Sequence, residues 1–439
     1  MQRFTSNLQA RIHRFRLDAS LKQDFAWMLS GNVIYYACQW SYLIILAKFG
    51  TPAQVGEYAL GVAVCAPIMI FANLQLRALF ASDVKNTYRF EQYLGFRWVS
   101  LFIALLIIAG LVWRHPAHVA ATILLVGVCQ AMEYCSDLYY GLMQKHERMD
   151  RISRSLSIKG PASVVALAVV MYVTRDVLWS LTAVILVRLA VLLVYDSRLT
   201  FRSRDGHLPT ESNRPELRLD MMWVLFTTSL ALGVVSSLLA LNLNIPAYFI
   251  EADLGKSELG LFSAMASLQG AGNLVMSAMG QSAFLPMARA YAERNKERFL
   301  SIVWHLWLIS GLLGAAGVVG ALVAGRPILA HVFRPEYAQS VDVFVLLMLS
   351  GGFYYIAASQ GYALTAIGVR AAQIPVQAVS IVTTALCCYW LIPGYGAAGA
   401  ADALVIGGIV RVAGFGVFLA RATRFEEVLP KQQWNTIGG

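Results

Sequence analysis

Three arginines, Arg77, Arg188 and Arg411, lie inside long apolar runs of the chain. A guanidinium keeps its charge at any physiological pH and presents a planar fork of donors that suits a bidentate grip on phosphate. Two carboxylates, Glu133 and Asp137, share another apolar run at i and i+4, which places them on one helix face. A charge held in hydrocarbon is expensive, so each of these groups is expected to face a cavity or a partner. The arginines then either bind an anionic ligand or neutralise the acids, and the acids either pair with arginine or take part in proton coupling or substrate contact. Arg77 has a third course, because it stands about three residues from its helix end and its side chain can snorkel to the headgroups.

Uncharged polar residues recur in the same kind of run: Asn32 and Gln39, Asn73 and Gln75, Gln269 and Asn273, Gln360 and Gln377. They either hydrogen-bond sugar hydroxyls or tie helices to one another. Residue type and position thus give an expected substrate-contacting set of Arg77, Arg188, Arg411, Asn32, Gln39, Asn273 and Gln360. Glu133 and Asp137 are expected as ion-coupling or salt-bridging groups.

The elements that must position these residues are apolar helices. Hydrophobic residues make up 58% of the 439 positions and charged ones 14%, with a mean hydropathy of +0.60. Soluble domains are roughly 45 to 50% apolar and about 25% charged. The expected class is an all-α polytopic membrane protein. Crossing about 30 Å of hydrocarbon takes about 20 apolar residues, and twelve such runs are found, the first over 25–48, the second over 58–80 and the fourth over 119–142. The third and fifth, 98–113 and 161–173, are short and should extend into their flanking loops.

Orientation follows from the basic residues. With the N-terminus inside and loops alternating, 26 of the 35 Lys and Arg fall on the cytoplasmic side, six outside and three within spans, a strong positive-inside bias. The expected organisation is a basic cytoplasmic segment over 1–24, a six-helix lobe over 25–196, a cytoplasmic linker over 197–220, a second six-helix lobe over 221–420 and a cytoplasmic tail over 421–439. The halves match weakly. Gly50 and Gly56-Glu57-Tyr58, before the second span, correspond to Gly255 and Gly260-Leu261-Phe262, before the eighth. An even number of spans per half implies parallel repeats with a site between lobes near mid-membrane.

Several function classes are excluded. A net charge of +10 comes from loop asymmetry, with no long soluble stretch to bind nucleic acid. The six cysteines all lie in apolar runs without metal-ligand spacing, so no metal site is expected. The first 24 residues lack a compact apolar segment with a small-residue cleavage site, and read as cytoplasmic rather than as a cleaved signal. There is no phosphate-binding Gly-rich loop with Lys-Ser/Thr, no His-Glu-x-x-His and no exposed Ser/His/Asp grouping, so neither an ATP-driven pump nor a cofactor is expected.

The segment Ile245-Pro246-Ala247-Tyr248-Phe249-Ile250-Glu251, with Leu254-Gly255 and Glu258-Leu259-Gly260-Leu261-Phe262-Ser263-Ala264, resembles the polysaccharide transporter family. Phe49-Gly50-Thr51-Pro52, Phe333-Arg334-Pro335-Glu336-Tyr337 and Leu391-Ile392-Pro393-Gly394-Tyr395-Gly396 are weaker echoes. These are the O-antigen and exopolysaccharide flippases of the superfamily that also holds the multidrug and toxin extrusion antiporters and the lipid II flippase. The resemblance implies two lobes of six helices around a central cavity, alternating access, and an oligosaccharide on undecaprenyl pyrophosphate as substrate. It implies a bacterial inner membrane, with membrane lipids and polysaccharide polymerase and assembly proteins as partners. Two other readings stay open: a cation-coupled multidrug antiporter of the same fold, which should need cavity acids rather than arginines, and a membrane-embedded glycan polymerase or ligase.

Overall fold

A computed structural model of the chain describes residues 2–83, 87–146, 148–199, 212–369 and 373–423, with side chains from Ala26 onward. Residues 200–211 of the expected linker and 424–439 of the expected tail lie outside the described residues. Every regular element described is helical. In chain order these are α1 (Gln2–Phe49), α2 (Pro52–Asn73), α3 (Leu76–Ser82), α4 (Phe90–Val112), α5 (Ala117–Lys145), α6 (Met149–Thr174) and α7 (Val177–Val191). A π-helical turn, Leu192–Asp196, leads to the short α8 (Ser197–Leu199). Then come α9 (Leu219–Leu254), α10 (Lys256–Ser267), α11 (Gln269–Ala292), α12 (Lys296–Val332), α13 (Val341–Ala366) and α14 (Gln373–Ala422), with a 3₁₀ turn over Pro335–Ser340 before α13.

Ten helical segments among the described residues are long and apolar enough to cross a membrane. The last of them has 50 residues, about 75 Å if straight at 1.5 Å per residue, more than twice the hydrocarbon thickness. It does not run straight. At Gly396 the backbone turns to φ 60, ψ −140, a conformation only glycine adopts freely. Beyond it the second arm lies back on the first, with Ser380 Oγ donating to the Gly407 carbonyl at 3.0 Å. One element therefore makes two passes, and with α1 these helices give the twelve crossings expected. Exposed Trp113 and Trp179 stand at helix ends and Trp390 just before the Gly396 bend, positions that suit indole rings at a membrane interface.

The two short spans lengthen as expected. The third is α4, beginning at Phe90, and the fifth is α6, beginning at Met149. Arg97 and Lys159, assigned to cytoplasmic loops by the span ends at 98 and 161, are therefore inside helices, and both are fully buried. Pro161 lies within α6 without ending it, as membrane helices tolerate.

By contacts the chain forms two compact units. One holds Met1–Asn244 and Lys256–Ala264, the other Ile245–Gly255 and Met265–Gly439. In the first unit α1 packs along α6, α2 along α5 and α6 along α7; in the second α13 packs against both α12 and α14. The internal sequence match of Gly56 with Gly260 becomes a contact within the first unit. A Cβ at Gly56 would sit 1.8 Å from the Lys256 carbonyl oxygen, and one at Gly260 would sit 1.9 Å from the Pro52 carbonyl oxygen. The first turns of α2 and α10 approach backbone to backbone at these two positions. Glu57 Oε1, beside them, stands 3.5 Å from Lys256 Nζ.

Gly56→Val or Gly260→Val is expected to force α2 and α10 apart and lower the thermal midpoint of the purified protein, by the 1–3 kcal/mol typical of overpacking. A Cβ at Gly110 meets nothing within 4 Å, so Gly110→Ala should leave the midpoint unchanged or raise it.

Candidate functional site

The polar residues of the first unit converge on one carboxylate. Glu133, halfway along α5, accepts a very short hydrogen bond from Tyr35 Oη of α1, and Gln39 Nε2, one turn further along α1, donates to the same phenol oxygen at 2.5 Å. Lys159 Nζ of α6 donates to Glu133 Oε1 at 3.3 Å. Arg188 Nη1 of α7 lies 3.8 Å from Glu133 Oε2 and donates to the Cys129 carbonyl at 2.7 Å. The ammonium of Lys159 also lies over the faces of Tyr35 and Tyr140, 5.4 Å and 5.0 Å from the ring centroids. Tyr140 Oη shares a 2.8 Å hydrogen bond with Ser155 Oγ, which donates to Asp196 at 2.6 Å. Four helices, α1, α5, α6 and α7, are thus tied at one point.

A cavity of about 300 Å³ opens beside this cluster. Gln39, Gln130, Glu133 and Arg188 give it a polar wall, and Tyr42, Tyr58 and Tyr134 give it aromatic faces. Val62, Ala66, Ile70, Val126, Cys129 and Leu181 complete the lining. Gln130 Oε1 is buried without a hydrogen-bond partner. A larger, mostly apolar cavity of about 550 Å³ lies in the second unit between the start of α12 and the end of α14, lined by Trp304, Trp307 and Leu419 among others. None of the expected site residues reaches that one.

The other expected residues separate. Arg77, on α3, donates from Nη1 to Asp137 Oδ1 at 3.0 Å and from Nε to Gln144 Oε1 at 3.3 Å. Its partner is an acid, and Asp137 is thereby neutralised. Arg411, on the second arm of α14, is 5% exposed. No ion pair to it is found among the described residues; it lies over the Tyr354 ring at 4.8 Å, and its Nε has no hydrogen-bond partner. Gln360 of α13 is buried with its Oε1 unpaired, whereas Asn273 of α11 is exposed and Asn32 of α1 is half-buried. Gln269 bridges helices, donating to Ser350 Oγ at 3.0 Å.

Sequence reasoning missed Lys159, because Gly160-Pro161 reads as a break and places it in a loop. It also missed the tyrosines, which in an apolar run look like core. Arg97 is a further buried cation. Its Nη1 donates to the Asn73 carbonyl at 3.0 Å, at the end of α2, where Leu74 and Gln75 are both left-handed (φ 49 and 52). There the guanidinium satisfies a carbonyl that the broken helix leaves open. Among the described residues no group of His, Cys, Asp and Glu is arranged to hold a metal ion.

Comparison with known proteins follows this geometry. A family model described as polysaccharide biosynthesis protein matches residues 21–291, more than half of the chain. The chain belongs to that family. It is similar to the capsular polysaccharide biosynthesis protein CapF of Staphylococcus aureus, with 24% identity over 402 residues that cover 91% of this chain and 99% of that one. Among solved structures it resembles an inward-facing multidrug resistance MATE family transporter of the MOP superfamily, with a TM-score of 0.68 and 14% identity over 90% of this chain and 96% of the other. It also resembles the lipid II flippase MurJ in an inward closed conformation, with a TM-score of 0.64 and 10% identity over 90% of this chain and 88% of the other. A third likeness is a MOP superfamily transporter of Pyrococcus furiosus whose binding pocket is described as having reverse polarity, with a TM-score of 0.62 and 14% identity over 93% and 96% of the two chains. At these identities the solved structures show a shared fold: this member of the polysaccharide biosynthesis family is a multi-pass helical membrane protein of that architecture.

Glu133→Gln should leave Lys159 and Arg188 without their shared counter-charge, destabilising the protein by about 3 kcal/mol or more. The double variant Glu133→Gln with Lys159→Met should recover part of that loss. Unfolding of the detergent-purified variants, each compared with the parent, checks both.

Proposed function

We propose that the protein is a flippase that carries a lipid-linked oligosaccharide, on undecaprenyl pyrophosphate, from the cytoplasmic to the periplasmic leaflet of a bacterial inner membrane for surface or exopolysaccharide biosynthesis. Membership of the polysaccharide biosynthesis family and the likeness to MOP superfamily transporters support transport of a glycan precursor. The observation that carries the anionic headgroup is Arg411. Arg77 and Arg188 each have a carboxylate within 4 Å, but Arg411 is buried with a tyrosine ring and no acid among the described residues. A buried guanidinium whose charge is uncompensated is the group that gains most from a pyrophosphate, through charge-assisted bidentate hydrogen bonds.

In this reading the sugar pyrophosphate headgroup enters from the cytoplasmic leaflet while the polyprenyl tail stays in the bilayer, and alternating access releases the headgroup outside. Both termini lie in the cytoplasm, as the excess of basic residues on that side supports. Polymerase and assembly proteins act on the product. Arg188, Arg77, Asn32, Gln39, Asn273 and Gln360 are secondary contacts, and Glu133 and Asp137 are salt-bridging groups. A cation-exporting antiporter is disfavoured because Glu133, which lines the cavity of the first unit, already answers two cations.

Reconstituted into proteoliposomes, the protein should expose a lipid-linked oligosaccharide to an external glycosidase. Arg411→Gln should slow this by about ten- to a hundredfold, the loss of one charge-assisted interaction, with the fold intact. Full-rate flipping by Arg411→Gln would remove the assignment of Arg411, and absence of flipping by the folded parent would remove the function.

A further inference from the structure

We infer that the cavity beside Glu133 is a binding subsite for one uncharged pyranose ring of the glycan headgroup, distinct from the pyrophosphate contact assigned to Arg411. The inference rests on the flippase reading and adds to it the class of ligand that the first unit takes.

Size comes first. At about 300 Å³ the cavity stands at the lower end of the ~300–1,000 Å³ range of small-molecule sites, so it holds a single small ligand. Its lining offers donors and acceptors at once. Arg188 donates and Glu133 accepts from the same wall, and Gln39 and Gln130 each carry an amide. Gln39 spends its Nε2 on Tyr35, which leaves its carbonyl to accept, and Gln130 Oε1 is buried without any donor. Three tyrosines line the same space. A pyranose has hydroxyls around its rim, each able to donate and accept, and an apolar C–H face that packs on aromatic rings. A pyranose thus uses both the polar wall and the aromatic faces of that lining.

Charge decides between a neutral and an acidic sugar. Lys159 and Arg188 are opposed by Glu133, directly, and by Asp196, reached through Ser155. The four formal charges cancel. An acidic sugar would add an uncompensated carboxylate next to Glu133, whereas an uncharged ring adds none. The same cancellation argues against Glu133 as a proton carrier, since protonating it would leave the cluster with one uncompensated buried positive charge.

The test is saturation-transfer NMR on the full-length protein in nanodiscs, with a panel of methyl pyranosides: neutral hexosides, N-acetylhexosaminides and hexuronides. An uncharged member should bind. Val62→Trp, which fills the cavity without touching the polar wall, should abolish the signal, and Gln130→Leu should weaken binding about tenfold, as expected for one hydrogen bond. Thermal melts identify variants that fail to fold, and Gln130→Leu retains a test if Val62→Trp does not fold. Arg411→Gln should bind the pyranoside like the parent while flipping slows, which separates this subsite from the function. Binding unchanged by both cavity variants, preference for a hexuronide, or no binding of any pyranoside by the folded parent would each overturn the inference. Flipping that proceeds in the parent and is untouched by Val62→Trp would overturn it and leave the flippase reading standing.

Discussion

A charge buried in a membrane must be answered by another charge or by a dense set of hydrogen bonds, and the first compact unit is organised around that requirement. Glu133 alone on α5 would be expensive to hold in hydrocarbon. Lys159, Arg188 and Tyr35 answer it from three other helices. Because each of these side chains is fixed to its helix, satisfying the carboxylate also fixes the axial register and rotation of α1, α5, α6 and α7. Helices that are apolar almost all round have little else to set that register. The polar cavity lies beside this cluster, lined from α1, α2, α5 and α7, with a tyrosine on each of the first three.

The second unit handles charge differently. It places Arg411 at similar burial but against an aromatic face, and a cation–π contact of this kind is worth about 2 kcal/mol when desolvated. That is less than the cost of a buried, unpaired cation. In the first unit Arg77, Lys159 and Arg188 each have a carboxylate within 4 Å, whereas Arg411 in the second has none among the described residues.

Much of this was legible in the sequence, for identifiable reasons. Arg188, Arg411, Glu133 and Asp137 stood out because an ionisable residue in the middle of an apolar run has few explanations. Which acid serves which base was open: the structure pairs Asp137 with Arg77 and Glu133 with Arg188. Lys159 and Arg97 escaped notice because windows of hydropathy end where charge and Pro/Gly begin, and Gly160-Pro161 imitates such an end. Inside a membrane helix, neighbouring helices and bonds satisfy what proline removes, so Pro161 does not break α6. Tyr42, Tyr58 and Tyr134 gave no signal, since a tyrosine in an apolar run looks the same whether it faces lipid, core or cavity. The repeat of Gly56 and Gly260 was visible as a weak match, but only coordinates reveal that the two glycines meet.

The bend at Gly396 bears on how the chain reaches the membrane. Its two arms are joined by one residue with φ 60, and they lie against each other, with Leu391 and Gly399 close enough that a Cβ on the glycine would touch the Leu391 carbonyl at 2.5 Å. There is no polar loop between them to be threaded across the bilayer in a separate event. These two crossings are therefore expected to enter the lipid as one closely packed hairpin.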